Sequence, residues 1–382
     1  MSNPSVLQVI DSFLPVIGGK QLMVHWLTTH LNNAGFEADV FASGLGANNN
    51  FERNYKVSRF PKRPRIGRIS RTTAVLMMYR MKHRPALLHA HTAFPAGLYA
   101  VLSKKIRKIP VVITCTGEDV LKVPEIGYGA SLDPKILSKI EFALQGADAL
   151  IAKSEGIKDK LLQWGVSEEK IHFIPNGIDL ERFSAETGDV VKKSGRKILL
   201  AIGKYRRVKG FEEFLKATAL VIKEEPDVMA TIVGNGMEKL EGLVAELKLT
   251  NKLDIKTESF DYNKEDSNDN LKDSYSSSGV YVSSSLSESF SNTILESMAM
   301  SLPVVATATP GAKGLIEHEE TGLLSPIGDV QKLAENVLRL FRDKELRAKL
   351  IINALKKSKN YSWEKVTQMH IHLYEELLNK KN

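Results

Sequence analysis

The strongest constraint in this sequence is a repeated alternation of short apolar runs with longer amphipathic segments. Apolar runs of strand length occur in the first half of the chain at residues 6–10, 38–42, 87–90, 111–114, 149–152 and 172–174. Segments with helical periodicity lie between them at residues 20–34, 95–106, 134–144 and 156–164. Strands that alternate with helices form parallel sheets covered by helices on both faces. The pattern therefore predicts an α/β fold.

The same alternation restarts at residue 197, which indicates a second domain. Strands are predicted at residues 197–202, 228–233, 253–256, 279–282 and 303–306. Helices are predicted at residues 211–222, 237–247, 292–300 and from about residue 330. The polar stretch 184–196 has no hydrophobic periodicity and is the predicted linker. Two tandem α/β domains of similar size are therefore expected, and a cleft between such domains commonly holds a ligand.

Basic residues are concentrated in one part of the first domain. The net charge is +8, yet no Asp or Glu occurs between Glu52 and Glu118, where 15 Lys and Arg residues lie. This basic region, residues 53–108, also contains Met78 and Met81, a composition typical of an amphipathic helix on an anionic membrane. A solvated basic face or a nucleic-acid site would also explain the charge. Aromatic residues among the cations are sparse, which argues against nucleic acid.

Cysteine usage and the N-terminal sequence indicate a cytoplasmic protein. The single cysteine, Cys115, has no intrachain disulfide partner, which suits a reducing compartment. The N-terminus lacks the basic region of a signal peptide, and no window approaches ~18 consecutive apolar residues. No Cys/His cluster has metal-ligand spacing and no Asp-x-Asp occurs, so no metal cofactor is expected.

Two glycine-containing loops are candidate anion sites, because each lies between a predicted strand and a predicted helix. Gly18 and Gly19 would let backbone N–H groups approach an anion, although such a pair is also common in ordinary turns. The loop 203–210 crowds four cations together, and like charges at that density repel unless an anion neutralises them. A phosphate-bearing ligand and a solvated basic loop both remain open. The four cations are Lys204, Arg206, Arg207 and Lys209.

A serine-rich stretch after the predicted strand 279–282 carries two carboxylates eight positions apart, Glu288 and Glu296. Thr293 and Glu296 have the spacing of a capping box, which is the structural explanation of Glu296. Glu288 has no such explanation, and a carboxylate beside a phosphate site suits sugar hydroxyls. Backbone N–H groups near Ser291 and Asn292 are placed to hold a pyrophosphate.

In the first domain, polar residues follow two predicted strands and are expected to face the cleft. His89 and His91 end one strand, and Thr116, Glu118 and Asp119 follow the next. A lone histidine is more often structural than functional, so both interpretations of His91 stay open.

Taken together, these features resemble the retaining glycosyltransferases of family 4. The most specific part is the run from Glu288 to Glu296, which matches the E-x7-E motif of that family, with Glu-Ser-Met-Ala-Met-Ser-Leu-Pro behind it. Further matching pieces are Gly18-Gly19, His89-Ala-His91, Pro175-Asn-Gly-Ile-Asp179, Lys209-Gly210, Gly234-Asn-Gly236, the run from Glu317 to Leu324 and Tyr361-Ser-Trp363. The resemblance covers nearly the whole chain. It implies the GT-B fold, in which two Rossmann-like domains face each other across a cleft and a C-terminal helix crosses back to the first domain.

The resemblance also implies domain boundaries. Residues 1–185 would form the acceptor-binding domain that faces the membrane, and residues 196–358 the domain that binds the sugar nucleotide. Residues 359–382 would be the crossover helix.

The resemblance implies a role for each matching residue of the donor site. Glu296 would bind the ribose, Glu288 the transferred sugar, and Lys209 the diphosphate, with Gly19 and the amides near Ser291 and Asn292 close by. Fixed cations and amides stabilise charge on a leaving diphosphate without a metal.

Two residues depart from the family pattern. Lys204 stands where the family usually has arginine, so either Lys204 or Arg206 would supply the second cation. Thr116 stands where the family usually has histidine, which leaves the usual contact to the transferred sugar open. His91, Thr116, Glu118 and Asp119 are the candidates for acceptor or sugar contacts.

The expected activity is metal-independent transfer of a hexose, with retention, from a nucleoside-diphosphate sugar to a saccharide acceptor. A lipid-linked acceptor in surface polysaccharide or glycolipid assembly is expected, with the protein peripheral on the inner face of the cytoplasmic membrane. Two alternatives are a sugar-nucleotide epimerase on the same fold and a non-enzymatic protein that binds sugar nucleotides or nucleic acid.

Overall fold

The computed structural model describes residues 4–16, 18–44, 53–60, 67–104, 108–184, 195–257 and 270–380. The chain divides into two compact units. The first unit comprises Met1–Gly177 together with Trp363–Asn382, and the second comprises Ile178–Ser362. The expected first domain, residues 1–185, thus extends past this division, and the expected end of the second at residue 358 falls short of it. Most of the predicted linker, at residues 185–194, lies outside the described residues.

The first unit contains a seven-stranded parallel sheet in the order β3-β2-β1-β4-β5-β6-β7. Its strands are β1 Ser5–Ile10, β2 Glu37–Ser43, β3 Val57–Phe60, β4 Leu87–His91, β5 Val111–Thr114, β6 Ala149–Ala152 and β7 Ile171–Phe173. Each strand sends alternate side chains to opposite faces. On β1, Leu7 and Val9 enter one hydrophobic core, whereas Val6 and Ile10 enter the other.

Helices cover both faces of this sheet. They are α1 Gly19–Asn33, α2 Arg68–His83, α3 Leu98–Ser103, α4 Pro134–Gly146, α5 Glu155–Gln163 and α13 Trp363–Asn379. Helix α13 belongs to the first unit, although it follows the second unit in the sequence. Trp363 and Tyr374 of α13 are buried in the same core as Leu27 of α1.

The second unit contains a six-stranded parallel sheet in the order β10-β9-β8-β11-β12-β13. Its strands are β8 Ile198–Ile202, β9 Met229–Val233, β10 Leu253–Lys256, β11 Val280–Ser283, β12 Val304–Thr307 and β13 Leu323–Ser325. Its helices are α6 Phe211–Glu224, α7 Glu241–Glu246, α8 Asn270–Ser277, α9 Asn292–Ala299, α10 Pro310–Leu315, α11 Val330–Arg342 and α12 Lys344–Ser358. The strand order reverses between β8 and β11, and ligands of such sheets bind at the carboxyl ends of the strands flanking that reversal.

The predicted α/β fold with two Rossmann-like sheets is confirmed, although several elements differ from the predicted ones. The predicted helix 95–106 is interrupted: a wide turn at Ala93–Gly97 contains Pro95, and the helix itself spans Leu98–Ser103. Proline lacks the N–H that an interior helical position needs. The predicted helix 237–247 is divided into a 3₁₀ turn, Met237–Leu240, and α7. None of the helices in the described part of the chain has the length and apolar run needed to span a bilayer.

Candidate active site

The loop that follows β8 is held against the loop that follows β11. Gly210 has a left-handed backbone (φ 68°), and a Cβ placed on it would lie 1.9 Å from the carbonyl oxygen of Ser284. Only glycine tolerates this approach. The Leu286 N–H also donates a hydrogen bond to the Val208 carbonyl at 2.8 Å. The two loops therefore meet at the carboxyl edge of the sheet, beside the point where the strand order reverses.

Lys209 and Glu288 form an ion pair between these two loops. The Lys209 side chain is 33% exposed and that of Glu288 is 17% exposed. The ammonium group of Lys209 has three N–H donors, and one acceptor does not use all of them. The pair joins two residues that are distant in the sequence and that sequence analysis assigned to the diphosphate and the sugar.

The crowding of cations in the loop 203–210 is partly neutralised by carboxylates of this chain. Arg207 donates two hydrogen bonds to Glu213, at 2.7 and 2.5 Å, and lies 3.5 Å from a carboxylate oxygen of Glu212. The hydrogen bond to Glu213 raises the pKa of Arg207. Carboxylates of this chain thus neutralise Arg207 and Lys209, so the crowding of cations alone does not decide between a phosphate-bearing ligand and a solvated basic loop. The side chains of Lys204 and Arg206 are exposed.

Helix α9 follows the loop that contains Glu288, and its first turn is capped by Ser291. The Ser291 hydroxyl accepts a hydrogen bond from the Ile294 N–H at 3.3 Å, which makes Ser291 the N-cap. Glu296 is therefore too far along the helix for the capping box that its spacing from Thr293 suggested. Instead, its carboxylate accepts a hydrogen bond from the hydroxyl of Tyr275 at 2.6 Å.

A shallow pocket opens beside these groups, and its lining includes Lys209, Tyr281, Ser284, Ser285, Ser291 and Thr293. The Tyr281 hydroxyl donates to the Thr293 hydroxyl at 2.6 Å, and burial raises the pKa of Tyr281. A cation, several hydroxyl groups and the N-terminus of α9 suit an anionic ligand with oxygen acceptors. Sequence analysis missed both tyrosines. The signal for Tyr281 was its position in an apolar strand that ends at the serine-rich loop.

The glycine pair of the first unit lies at the start of α1. Gly18 is the N-cap in an extended conformation, and a Cβ on it would lie 2.7 Å from Oε1 of Gln21. Gly19 is exposed as the first residue of α1. The first turn contains no acidic residue. Lys20 of this turn pairs with Asp11 at 2.6 Å. An anion at this helix end stays a prediction, beside the alternative of an ordinary turn.

The structure places His91 inside the first unit and away from its surface. His91 is fully buried, and its Nε2 lies 2.6 Å from the side-chain oxygen of Gln8. Burial lowers the pKa of His91 well below its usual value. His89 is equally buried between Tyr374 and Thr114, at 2.7 Å from each hydroxyl. The expectation that His91 contacts a sugar directly is thus corrected, because neither histidine reaches solvent.

The three remaining candidates of the first unit divide into two groups. The Asp119 carboxylate is buried and accepts hydrogen bonds from the backbone N–H groups of Ala93, Thr116 and Gly117, at 2.8, 3.1 and 3.0 Å. Asp119 therefore shapes the loop after β5, and its expected contact with a sugar is corrected. Glu118 is exposed and Thr116 is half-buried, so both are accessible to a ligand. Within the described ranges, no group of three or more His, Cys, Asp or Glu side chains is arranged to hold a metal ion.

Two Rossmann-like units in one chain are the architecture of the GT-B fold. The crystal structure of HepE from Anabaena, in complex with UDP and glucose, superimposes with a TM-score of 0.80 at 20% identity, covering 97% of this chain and 100% of that one. At that identity the likeness establishes the fold.

Two family profiles match nearly the whole chain between them. The profile described as Glycosyltransferase Family 4 matches residues 17–182, and the one described as Glycosyl transferases group 1 matches residues 184–357. The chain belongs to the family 4 glycosyltransferases, which confirms the predicted family and enzyme class. A non-enzymatic binding protein is thereby set aside.

Two of the relatives found are synthases of different glycosylated products. The N-acetyl-alpha-D-glucosaminyl L-malate synthase of Bacillus anthracis is 28% identical over 268 residues, which are 68% of this chain and 66% of that one. The chain thus spans about two thirds of that relative. The alpha-monoglucosyldiacylglycerol synthase of Streptococcus pneumoniae is 25% identical over 339 residues, which are 82% of this chain and 73% of that one.

Proposed function

We propose that this glycosyltransferase moves a hexose from a nucleoside-diphosphate sugar to a saccharide acceptor, with retention of configuration and without a metal ion. The observation that carries the proposal is the Lys209–Glu288 ion pair at the carboxyl ends of β8 and β11, with the N-terminus of α9 alongside. The pair places a cation suited to a diphosphate beside a carboxylate suited to sugar hydroxyls. The UDP and glucose bound in the HepE crystal are consistent with such a donor.

In this proposal, Lys209 and the first amides of α9 act on the leaving group. The bond between the anomeric carbon and the diphosphate oxygen breaks as the acceptor oxygen bonds to the same carbon. Negative charge grows on the diphosphate during this step, and a fixed ammonium with oriented N–H groups stabilises it. The acceptor proton passes to an oxygen of the leaving diphosphate, so the protein supplies no nucleophile. Lys204 or Arg206, both exposed on the same loop, supplies a second cation.

The two glutamates bind the two ends of the donor. Glu288 accepts hydrogen bonds from the transferred sugar, and Glu296 accepts them from the ribose hydroxyls. Their arrangement supports this division, because Glu288 lies in the loop next to Lys209 whereas Glu296 lies further along α9. A carboxylate accepts several hydrogen bonds, so its contact with Lys209 or Tyr275 leaves capacity for a hydroxyl.

A donor panel with chelator present tests the proposal. Thermal shifts with UDP-, GDP-, ADP- and dTDP-sugars identify the donor, because a ligand that binds only the folded state raises its melting temperature. Lys209→Ala should lower the transfer rate at least 100-fold, equivalent to about 2.7 kcal/mol of transition-state stabilisation. Glu246→Ala, on helix α7, is the matched control and should not. Full turnover by Lys209→Ala, or complete loss of wild-type turnover with chelator, would refute the mechanism.

The acceptor in this proposal is a lipid-linked saccharide at an anionic membrane surface, and the basic region of the first unit supports it. Met78 and Met81 are 58% and 57% exposed on α2, next to the exposed Lys82 and Arg84. Exposed apolar side chains next to cations suit an anionic lipid surface. The residues 61–66 and 105–107 of this region lie outside the described ones. The name of the Streptococcus pneumoniae relative, a diacylglycerol glycolipid synthase, is consistent with a lipid acceptor.

Vesicle binding tests the membrane part separately. Wild-type protein should sediment with phosphatidylglycerol vesicles at low salt and be released as salt rises to about 0.5 M, because salt screens exposed charges. The double variant Met78→Ser/Met81→Ser should bind more weakly than wild type. Ile352→Ser, which removes a similarly exposed apolar side chain from α12, should not change binding. Equal binding by all three proteins would show that Met78 and Met81 do not form the membrane contact. No binding of wild type to these vesicles would leave a free saccharide as the acceptor.

A further inference from the structure

A buried tyrosine contacts the second glutamate of the candidate site. The Tyr275 hydroxyl donates to Oε2 of Glu296 at 2.6 Å, a length typical of an O–H···O⁻ bond to a carboxylate. Tyr275 is 0% exposed. Its ring meets that of Phe183 edge-on, with the ring centroids 6.0 Å apart. Since the hydrophobic core fixes the ring, the phenolic hydroxyl occupies a fixed position beside Glu296 of α9.

A fixed hydroxyl restricts the orientation of a flexible carboxylate. A glutamate side chain loses rotamer freedom when it is ordered, and this loss opposes ligand binding if it takes place at that moment. The hydrogen bond from Tyr275 orders Glu296 beforehand. The contact therefore favours binding of any ligand that uses the orientation that Tyr275 imposes.

A second buried tyrosine makes a parallel contact with a different group. The Tyr281 hydroxyl donates to Thr293, whose own hydroxyl lies 3.1 Å from that of the N-cap Ser291. The hydrogen bond of Tyr281 thus leads to the first turn of α9, whereas that of Tyr275 leads to the Glu296 carboxylate. The two tyrosines therefore support separate parts of one site, and each is the chemical control for the other.

We propose that Tyr275 is a positioning residue for donor recognition, which holds the Glu296 carboxylate in the orientation that accepts hydrogen bonds from the ribose hydroxyls. The inference rests on the proposed function, because it takes the ribose as the ligand of Glu296. It adds that the discrimination between ribose and a sugar without these hydroxyls depends on a residue that does not touch the nucleotide.

Removal of hydroxyl groups from protein and ligand together tests the inference. The probes are UDP, GDP and ADP, of which the tightest binder is compared with its 2′,3′-dideoxy counterpart by calorimetry. Wild type should bind the ribose form at least tenfold more tightly. Tyr275→Phe should reduce this ratio at least threefold, through weaker binding of the ribose form alone. Tyr281→Phe should weaken both forms equally, so that its ratio stays at the wild-type value.

Two further variants separate the possible failures. Glu296→Gln should bring the ratio to the value of Tyr275→Phe or below it, and adding Tyr275→Phe to it should cause no further change. If Glu296→Gln keeps the wild-type ratio, the assignment of ribose to Glu296 in the proposed function is wrong. If Tyr275→Phe keeps the wild-type ratio whereas Glu296→Gln lowers it, the positioning role of Tyr275 is wrong and the proposed function stands.

Loss of stability is controlled through Leu315, a fully buried residue of the same hydrophobic core. The variant Leu315→Ala keeps Tyr275 and Phe183, so melting temperature should fall while the ratio persists. If Leu315→Ala lowers the ratio as far as Tyr275→Phe does, the effect comes from loss of stability and the inference is overturned. In turnover, Tyr275→Phe should raise KM for the donor more than it lowers kcat, which loss of folded protein alone would not produce.

Discussion

Glu288→Gln is expected to strengthen the binding of a free nucleoside diphosphate while it weakens sugar transfer. The substitution keeps the size and hydrogen-bonding atoms of the side chain but removes the negative charge that pairs with Lys209. In the proposed binding mode, the wild-type carboxylate competes with the diphosphate for one ammonium group and repels the diphosphate directly. In the variant, neither effect remains. The contact to the transferred sugar loses its charge, so transfer should become slower.

The partial burial of the pair sets the size of the effect. The two side chains are 33% and 17% exposed, so the medium between them is neither bulk water nor a dry interior. A diphosphate oxygen bound to the same ammonium lies roughly 5 Å from the Glu288 carboxylate. At that distance one unit of repulsion amounts to about 1 to 2 kcal/mol for an effective dielectric constant of roughly 40 to 60, or roughly 5- to 30-fold in affinity.

Calorimetric titration with UDP, GDP and ADP measures this gain, and product formation measures the loss of transfer. The matched control is Glu320→Gln, which removes the same charge from the same unit at an exposed ion pair with Lys349, 2.6 Å apart. The gain should shrink as salt is added, because the site is partly open to solvent. If Glu288→Gln binds the diphosphate no more tightly than Glu320→Gln does, Glu288 does not lie beside the diphosphate, and the assigned geometry is refuted.

Two further changes have outcomes set by the structure. Gly210→Ala should destabilise the second unit by roughly 1 to 3 kcal/mol, because its Cβ would meet the Ser284 carbonyl and its φ is +68°. Gly242→Ala, where no atom lies within 4 Å, should leave the melting temperature unchanged or higher. Equal melting temperatures for the two variants would contradict the loop contact. Burial lowers the pKa of His25 to about 4 and that of His370 to about 3, from 6.5. Since the unfolded chain then binds protons that the folded one does not, stability should fall as pH drops from 6.5 towards these values, by about 2 kcal/mol per histidine at pH 5. Urea unfolding of wild type and His25→Gln at several pH values checks this. If the unfolding free energy of both proteins changes equally with pH, His25 does not carry the effect.

The central strands were predictable because their apolar runs are long and buried. Residues 111–114 and 149–152, which are buried throughout, were predicted with the bounds that the structure has. The two missed strands lie at the edges of their sheets, where only one neighbour supplies hydrogen bonds. One of them, β3, contains Ser58 and Arg59, and the other, β13, has three residues. Such short or polar edge strands have no periodicity that distinguishes them from loops.

In the second unit, sequence analysis found the ionic residues of the site but not their partners. The E-x7-E spacing identified Glu288 and Glu296. Nothing in the sequence indicated that Tyr275 would reach Glu296, because the contact depends on how α8 packs beneath α9. Sequence analysis also missed the partner of Arg207, which is Glu213 in the first turn of α6. Pairings of this kind are decided by tertiary packing, which one sequence does not specify.

The histidines of β4 show why a motif can suggest a site that the fold then buries. Side chains alternate along a strand, so Leu88 and Ala90 enter one core while His89 and His91 face the other side of the sheet. That side is covered by α13, whose Tyr374 contacts His89. His89 and His91 are two positions apart, which suggested that both face one functional site. The same spacing places both rings on the covered side of the sheet. Because the covering helix comes from the far end of the chain, the local sequence contains no sign of it. His89 therefore helps to hold the returning helix against the first sheet. Among the four candidates of the first unit, the exposed Glu118 and the half-buried Thr116 are the two that solvent reaches, and their contact with an acceptor stays a prediction.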